Sequence, residues 1–403
     1  MLFRSHVVVE NGAISEPGSL TRFFTDPDTK STLPTNRAYR PLFMVTLAID
    51  YAMGDGLDPF FFHLSTFVWF LVQGGLMYVL FVRILDVSRP RDWNRTVAAV
   101  GVGLYWLHTA NAETINYISA RSDSLSTLCV VAGLAIHATA SKRIRWVAVL
   151  PVAAGMLIKP TALMYAPIVV VYSLLFEERL GVSDLIRTPG KAASALGRVF
   201  RWAVPQAVLL VGPFWLTLYM TPDTWDLGGP SRLEYARTQP WVVLRYFWTF
   251  FLPVGLSADT DWHVLSSWMD LRVIAGGTFV VVAVGTALWA SDSRPARPIT
   301  FGLLFFFFAL APSSSLVPLA EVTNDHRMFF PFVGLALAVP WTVALLLGRF
   351  ELQMTESKAF RTSVGAMIAA VLLAHAYGVH ERNQVWQTAE TLWADVVVKS
   401  PGN

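Results

Sequence analysis

The stretch FFFHLSTFVWFLVQGGLMYVLFVRILDVSRPRDWNR, residues 60–95, decides the fold. From 60 to 82 it holds no acid, lysine or arginine. An uncharged run of that length matches the roughly 20 residues a helix needs to cross a bilayer. Arg83, Arg89, Arg91 and Arg95 then crowd one turn, as basic residues do on the cytoplasmic side of a span.

Working outward, nine further apolar segments lie at 96–112, 123–141, 146–158, 161–176, 203–220, 273–290, 299–312, 329–348 and 364–380, making about ten spans in all. The pair around Lys159-Pro160 reads either as two short spans or as one broken helix, which would change the topology downstream. Under the ten-span reading, later basic turns fall on the same side as Arg83. They hold Lys142, Arg143 and Arg145, then Arg179, Arg187, Lys191, Arg198 and Arg201, then Arg294 and Arg297, then Arg349, Lys358 and Arg361. The short opposite turns carry only Arg121, Lys159 and Arg327, so both termini are expected outside the cytoplasm.

Composition agrees. Apolar residues make up 54% and charged residues 15% of the 403 residues, against roughly 25% charged in a soluble domain; mean hydropathy is +0.48. Length is then no guide to domain number, because bilayer spans replace one water-driven core. The net charge of +3 and the pI near 9.0 arise mostly from cytoplasmic turns, so they report orientation rather than nucleic-acid binding. Cys129, the single cysteine, reads as a small packed residue and excludes an internal disulfide. No cleavable signal peptide is visible in the first forty residues.

Three non-cytoplasmic segments are expected to fold at the surface: a first loop, 1–59, in which Leu42 to Met53 lies at the interface; a loop, 221–272, with an aromatic helix from Trp241 to Leu256; and a tail, 381–403. In the tail, Val385, Trp386, Ala389, Leu392, Trp393 and Val396 form a helical stripe with no evident partner in the chain.

Polar residues gather on this non-cytoplasmic side. His108, Asn111, Glu113 and Ala120-Arg121-Ser122-Asp123 read either as an Arg121–Glu113 or Arg121–Asp123 pair joining two spans, or as a substrate-facing group. Ser122 and Asp123 also suit a helix start. Lys159 has no acid nearby in sequence, so it either snorkels to the interface or meets an anion brought by a ligand. Pro160, opening the next helix, leaves free N–H groups there that favour phosphate. Asn324-Asp325-His326-Arg327, at the lip of an aromatic span, reads as a capped helix start with an Asp325–Arg327 pair, or as a phosphate site in which Arg327 forks and His326 donates. Asp259 and Asp261, after Leu252-Pro253-Val254-Gly255-Leu256-Ser257-Ala258, read as a turn or as paired carboxylates. No P-loop, zinc spacing, Gly-x-Ser-x-Gly or dinucleotide fingerprint appears.

Taken in order, Asn36-Arg37-x-x-Arg40-Pro41-Leu42, His63, His108…Glu113…Ala120-Arg121-Ser122-Asp123, Lys159-Pro160, Leu256-Ser257-x-Asp259, Asp325-His326-Arg327 with Pro331, and Trp386…Leu392-Trp393…Ser400-Pro401-x-Asn403 cover nearly the whole chain. This ordered set resembles the GT-C-fold membrane glycosyltransferases with C-terminal tetratricopeptide repeats, which include the TMTC-type protein O-mannosyltransferases and their bacterial relatives. The resemblance implies an all-α, polytopic GT-C-like bundle over 60–380 and the start of a repeat module at 381–403. It implies transfer of a sugar, such as mannose, from a polyprenyl-phosphate donor to a hydroxyl of a protein Ser or Thr. Lys159, His326 and Arg327 would hold the donor phosphate, and His108, Glu113, Arg121, Asp123, Asp259 and Asp325 would shape the cavity. No cofactor or metal is expected; the partners are membrane lipid, the lipid-linked sugar and a protein acceptor, with no nucleic acid. The setting implied is a bacterial inner membrane with the site facing the periplasm.

In such enzymes an acidic pair, just after a first span and before a segment like His6-Val7-Val8-Val9-Glu10-Asn11, acts as base. Here those positions read Arg4 and Ser5, and no span precedes them. The expectation is a chain truncated at both ends, inactive alone and with its base elsewhere; Glu10, Asp26 and Asp28 are poor substitutes. A transporter or lipid flippase is the rival reading, disfavoured because the charged groups sit at one face rather than at the midplane and the halves show no repeat. A non-catalytic membrane scaffold is the third.

Overall fold

A computed structural model describes residues 6–402 apart from 17, 18, 227 and 316, with the side chains of 19, 351 and 352 also undescribed. Among the described residues every regular element is a helix. The longer helices are α1 (Pro41–Met53), α2 (Pro59–Ser88), α3 (Asn94–Trp106), α4 (Arg121–Thr139), α5 (Val149–Ile158), α6 (Tyr165–Tyr172), α7 (Pro189–Met220), α8 (Arg232–Thr249), α9 (Leu271–Ala290), α10 (Arg297–Leu310), α11 (Phe332–Leu347), α12 (Lys358–Val385) and α13 (Ala389–Lys399). Helix α6 is entered by a 3-10 turn, Pro160–Met164, and left by a π-helical turn, Ser173–Glu177.

Each of the ten expected spans coincides with one of these helices, but length and hydropathy separate them. Six described segments are long and apolar enough to cross a bilayer: Pro59–Ser88, Pro160–Glu177, Pro189–Met220, Leu271–Ala290, Phe332–Phe350 and Lys358–Val385. The other four, α3, α4, α5 and α10, are shorter or more polar. In α4 and α10 most residues are buried, and a helix sheathed by protein escapes the demand that lipid makes on its length and surface. Helix α12 is the opposite case, burying only His375 and Arg382.

The centre of the bundle depends on close backbone approach. A Cβ at Gly302 of α10 would lie 2.4 Å from the Gly334 carbonyl oxygen of α11, and one at Gly334 would lie 2.3 Å from that of Gly302. Small residues at such crossings let membrane helices pack by van der Waals contact where lipid supplies no hydrophobic drive. Around them Phe301, Phe305, Phe306, Phe332, Leu335 and Trp341 are buried.

The surface segments differ from expectation in register. The first-loop helix forms as predicted over Leu42 to Met53, yet Phe43, Met44, Leu47 and Asp50 are buried, so one face packs on protein. The aromatic helix begins earlier, at Arg232, and stops at Thr249 rather than Leu256, because Pro253 and Gly255 follow (Gly255 at φ +66). The stripe after 381 does have a partner: α12 runs unbroken across that boundary, and α13 folds back with Arg382 bonded to Asp395 at 2.6 Å. Leu392 and Val396 are thereby buried while Trp393 stays half-exposed.

Candidate functional site

Four separate segments carry charged side chains to one end of the bundle. Pro160 removes a helical N–H and bars the preceding residue from helical geometry, so Lys159 is extended (φ −156, ψ 129) between α5 and the next turn. Its ammonium meets Asp123, in the first turn of α4, at 2.5 Å. One residue earlier, Ser122 Oγ accepts from Arg40 Nη1 at 3.1 Å, Arg40 standing immediately before α1. The fourth segment is the 3-10 turn Asp325–Met328, capped by Asn324, whose Oδ1 accepts from the His326 N–H. From it His326 Nδ1 reaches Glu113 Oε1 at 3.0 Å. His326 also lies in the field of Asp123, Lys159, Arg327 and Arg40, so the four segments share one electrostatic environment.

Proton occupancy follows from burial. Desolvation pushes His326 down to about 3, with Lys159, Arg327 and Arg40 adding to it and Asp123 opposing; the ring is neutral. Desolvation and the neighbouring Asp325 raise Glu113 well above the usual carboxylate range. With Nδ1 engaged by Glu113, Nε2 is the His326 ring nitrogen left for another partner. Arg327 donates to the Glu321 carbonyl at 2.9 Å, lies 3.5 Å from the Glu321 carboxylate, and contacts the Tyr235 hydroxyl at 3.5 Å. The cations Arg40, Lys159 and Arg327 thus share this end of the bundle with the acids Asp123, Glu113, Glu321 and Asp325.

Other predicted positions lie elsewhere. Arg121 is fully buried and pairs with neither Glu113 nor Asp123. Its guanidinium bonds Asp50 of α1, the Phe62 carbonyl at 2.5 Å and Thr66 Oγ1 at 3.0 Å, 5.7 Å above the Phe62 ring. Arg121 therefore joins α1, α2 and α4 from inside the bundle. His108 is also fully buried: Nε2 bonds the Phe250 carbonyl at 3.1 Å, Nδ1 accepts from Ala110 N–H at 3.3 Å, and the ring stacks on Phe250. Both nitrogens are spent, which makes it a packed core histidine. Asp325 does not pair with Arg327; its Oδ2 accepts the Ser257 N–H at 2.9 Å, and burial raises its carboxyl to about 6. Asp259 takes the turn reading: its carboxylate accepts from Thr260 N–H, and its carbonyl accepts from Ser257 and Ser400 hydroxyls. Arg4 and Ser5 lie outside the described residues. Among the described residues no group of three His, Cys, Asp or Glu is arranged to hold a metal ion.

Sequence reasoning did not single out Asp50 or assign Arg40 a role. The signal for Asp50 was a lone carboxylate inside the apolar stretch from Leu42 to Met53; for Arg40, it was the position just before a proline-started helix.

A bundle with six apolar helices that can cross a bilayer and a cationic cluster at one end is an integral membrane protein, and its curated homologues are the TMTC-type protein O-mannosyl-transferases. Tmtc3 of Drosophila melanogaster is 23% identical over 418 residues, covering 89% of this chain and 44% of its own length. TMTC4 of Homo sapiens is 21% identical over 93% of this chain and 55% of its own, and TMTC4 of Mus musculus is 22% identical over the same shares. The chain thus spans about half the length of the curated relatives it matches. No protein-family model and no solved structure matches it.

Proposed function

We propose that this chain is the membrane part of a GT-C-type glycosyltransferase. It moves a sugar, mannose by analogy with its relatives' names, from a polyprenyl-phosphate donor to a protein Ser or Thr hydroxyl. The site opens on the non-cytoplasmic face, which in a bacterium is the periplasmic side of the inner membrane. The observation that carries this reading is the gathering of Lys159, His326, Arg327 and Arg40 within one another's fields at one end of the bundle, beside Asp123.

The chemistry follows from those groups. The acceptor oxygen attacks the anomeric carbon in line, the bond from that carbon to the phosphate oxygen breaks, and its electron pair leaves with the lipid phosphate. Lys159, Arg327 and the His326 Nε2–H meet the charge that builds on this leaving group, the kind of preorganised electrostatic stabilisation that dominates many enzymes. The acceptor's proton passes to a carboxylate. The position expected for that base falls at Arg4 and Ser5, outside the described residues, and no residue here is assigned to it.

In the full-length protein, Lys159→Ala and Arg327→Ala each abolish sugar transfer while membrane insertion persists. Unchanged transfer by either variant counts heavily against the reading. Lipid flipping by the protein in liposomes, without transfer, replaces it with a flippase.

A further inference from the structure

The far end of the bundle holds a second charged site. The segment Pro160–Glu177 starts beside Lys159 and ends at a cavity of about 480 Å³ lined by Arg83, Arg145, Arg179, Tyr172 and Glu177. At 1.5 Å per helical residue the two sites are roughly 27 Å apart. The cavity opens where α2, α4 and α6 end together, among the arginine-rich turns.

Helix C-termini and snorkelling explain part of this. Arg83 Nε donates to the Ala138 carbonyl at the end of α4, 3.1 Å away, and cations are favourable there. The other two arginines add to this charge, Arg145 from a half-buried position and Arg179 from an exposed one. Arg145 bonds Glu177 at 2.9 Å, yet its Nε is buried without a partner among the described residues. Arg179 holds a left-handed backbone, φ +55, rare and strained for a side chain with a Cβ. Its carbonyl is fixed by Arg297 Nη2 at 2.8 Å, while its guanidinium has no polar partner among the described residues. The π-helical turn Ser173–Glu177 leads into it, and such turns recur at functional sites. Three guanidinium groups thus face one carboxylate in a space the size of a small-molecule pocket.

We propose that this cavity binds a phosphate group, carried either by an anionic lipid headgroup or by a free phosphorylated solute. Basic pockets between membrane helices take lipid headgroups in this manner, and a guanidinium fork suits phosphate oxygens. The site is separate from the sugar-transfer reading and stands or falls without it.

The test uses the whole chain in phosphatidylcholine nanodiscs, with or without phosphatidic acid, and native mass spectrometry to count retained lipid. A parallel arm titrates inorganic phosphate and reads the unfolding temperature. Two variants are compared: Arg83→Gln, and Arg179→Gly, which removes the guanidinium and relaxes the left-handed backbone, so the fold is kept. Each is expected to weaken retention about fivefold or more. Phosphatidic acid retained by the parent and lost in both variants assigns the site to lipid; a phosphate-induced temperature rise, abolished by the same variants, assigns it to a soluble ligand. Binding that ignores both substitutions, or no binding of either probe by the parent, overturns the proposal.

Discussion

Removing one partner of the Arg121–Asp50 contact should strongly destabilise the packing of α1, α2 and α4, and the size of the effect is set by how completely the pair is buried. The Arg121 side chain is 0% and the Asp50 side chain 4% exposed. Asp50 also accepts from Ser65 Oγ at 2.8 Å, and Arg121 makes two further bonds on α2. Removing one partner strands a buried charge, which costs about 3–5 kcal/mol. Arg121→Met and Asp50→Leu alone should therefore each lose that much. If the sites were independent, the double variant would lose roughly 6–10 kcal/mol, the sum of two such penalties. Because neither charge is stranded when both are gone, its loss should instead fall well below either single loss. The assay is unfolding in detergent, followed by tryptophan fluorescence, for all four members of the cycle. Additive losses would refute the buried-pair reasoning, as would a single variant within about 1 kcal/mol of the parent. Sugar transfer surviving in a folded double variant would add that Arg121 never touches the donor.

Three further outcomes follow from particular contacts. Gly334→Val places side-chain atoms where a Cβ alone already comes within 2.3 Å of the Gly302 carbonyl; α10 and α11 must separate, and yield of folded protein in detergent should collapse while the exposed Gly365→Val is tolerated. Desolvation holds His326 near 3, below its ordinary value of 6.5. The stability tied to its neutral ring is complete above pH 6.5 and is lost as pH falls from there towards about 3; Asp325, raised to about 6, and Glu113, raised well above its ordinary range, work oppositely, losing stability as pH rises. Relative to the parent, His326→Gln should therefore make the unfolding temperature fall less on acidification below 6.5. Asp395→Asn breaks the 2.6 Å bond to Arg382 and the 2.7 Å bond to Lys399. Limited proteolysis should then cut near Trp386 to Thr388 faster than in the parent, and an unchanged rate would mean that Leu392 and Val396 hold α13 alone.

Fold class was legible because hydropathy and arginine placement are properties of the lone segment: residues 60–82 announce a membrane helix wherever they end up. Which helices suffice to cross was not legible, since α4 and α10 are polar or short for reasons visible only once their neighbours enclose them. The same division runs through the site. Lys159-Pro160 and Asn324 to Arg327 announced themselves by carrying charge or capping groups where an apolar chain turns, and the structure brings them to one end. Their partners were hidden because pairing is set by the third dimension. Arg121 looked to its nearest acids, Glu113 and Asp123, and found Asp50, 71 positions away. His108 looked like a lip residue, but Phe250 and Ala110 take both of its nitrogens.

The partner found for Lys159 changes what the site must do. A lysine with no acid in reach would wait as a bare cation for its ligand; here Asp123 already neutralises it. On the proposed reading, the donor phosphate must therefore either displace that carboxylate or bind beside it, where Arg327 also lies. Displacement would leave Asp123 buried without a cation, the costly case. Binding beside the pair keeps Asp123 compensated, with Lys159 held between the carboxylate and the phosphate as charge grows on bond cleavage. On that argument Asp123 spares the donor from being held too tightly before reaction, because an interaction that strengthens only in the transition state accelerates the step, whereas one already made with the bound donor does not.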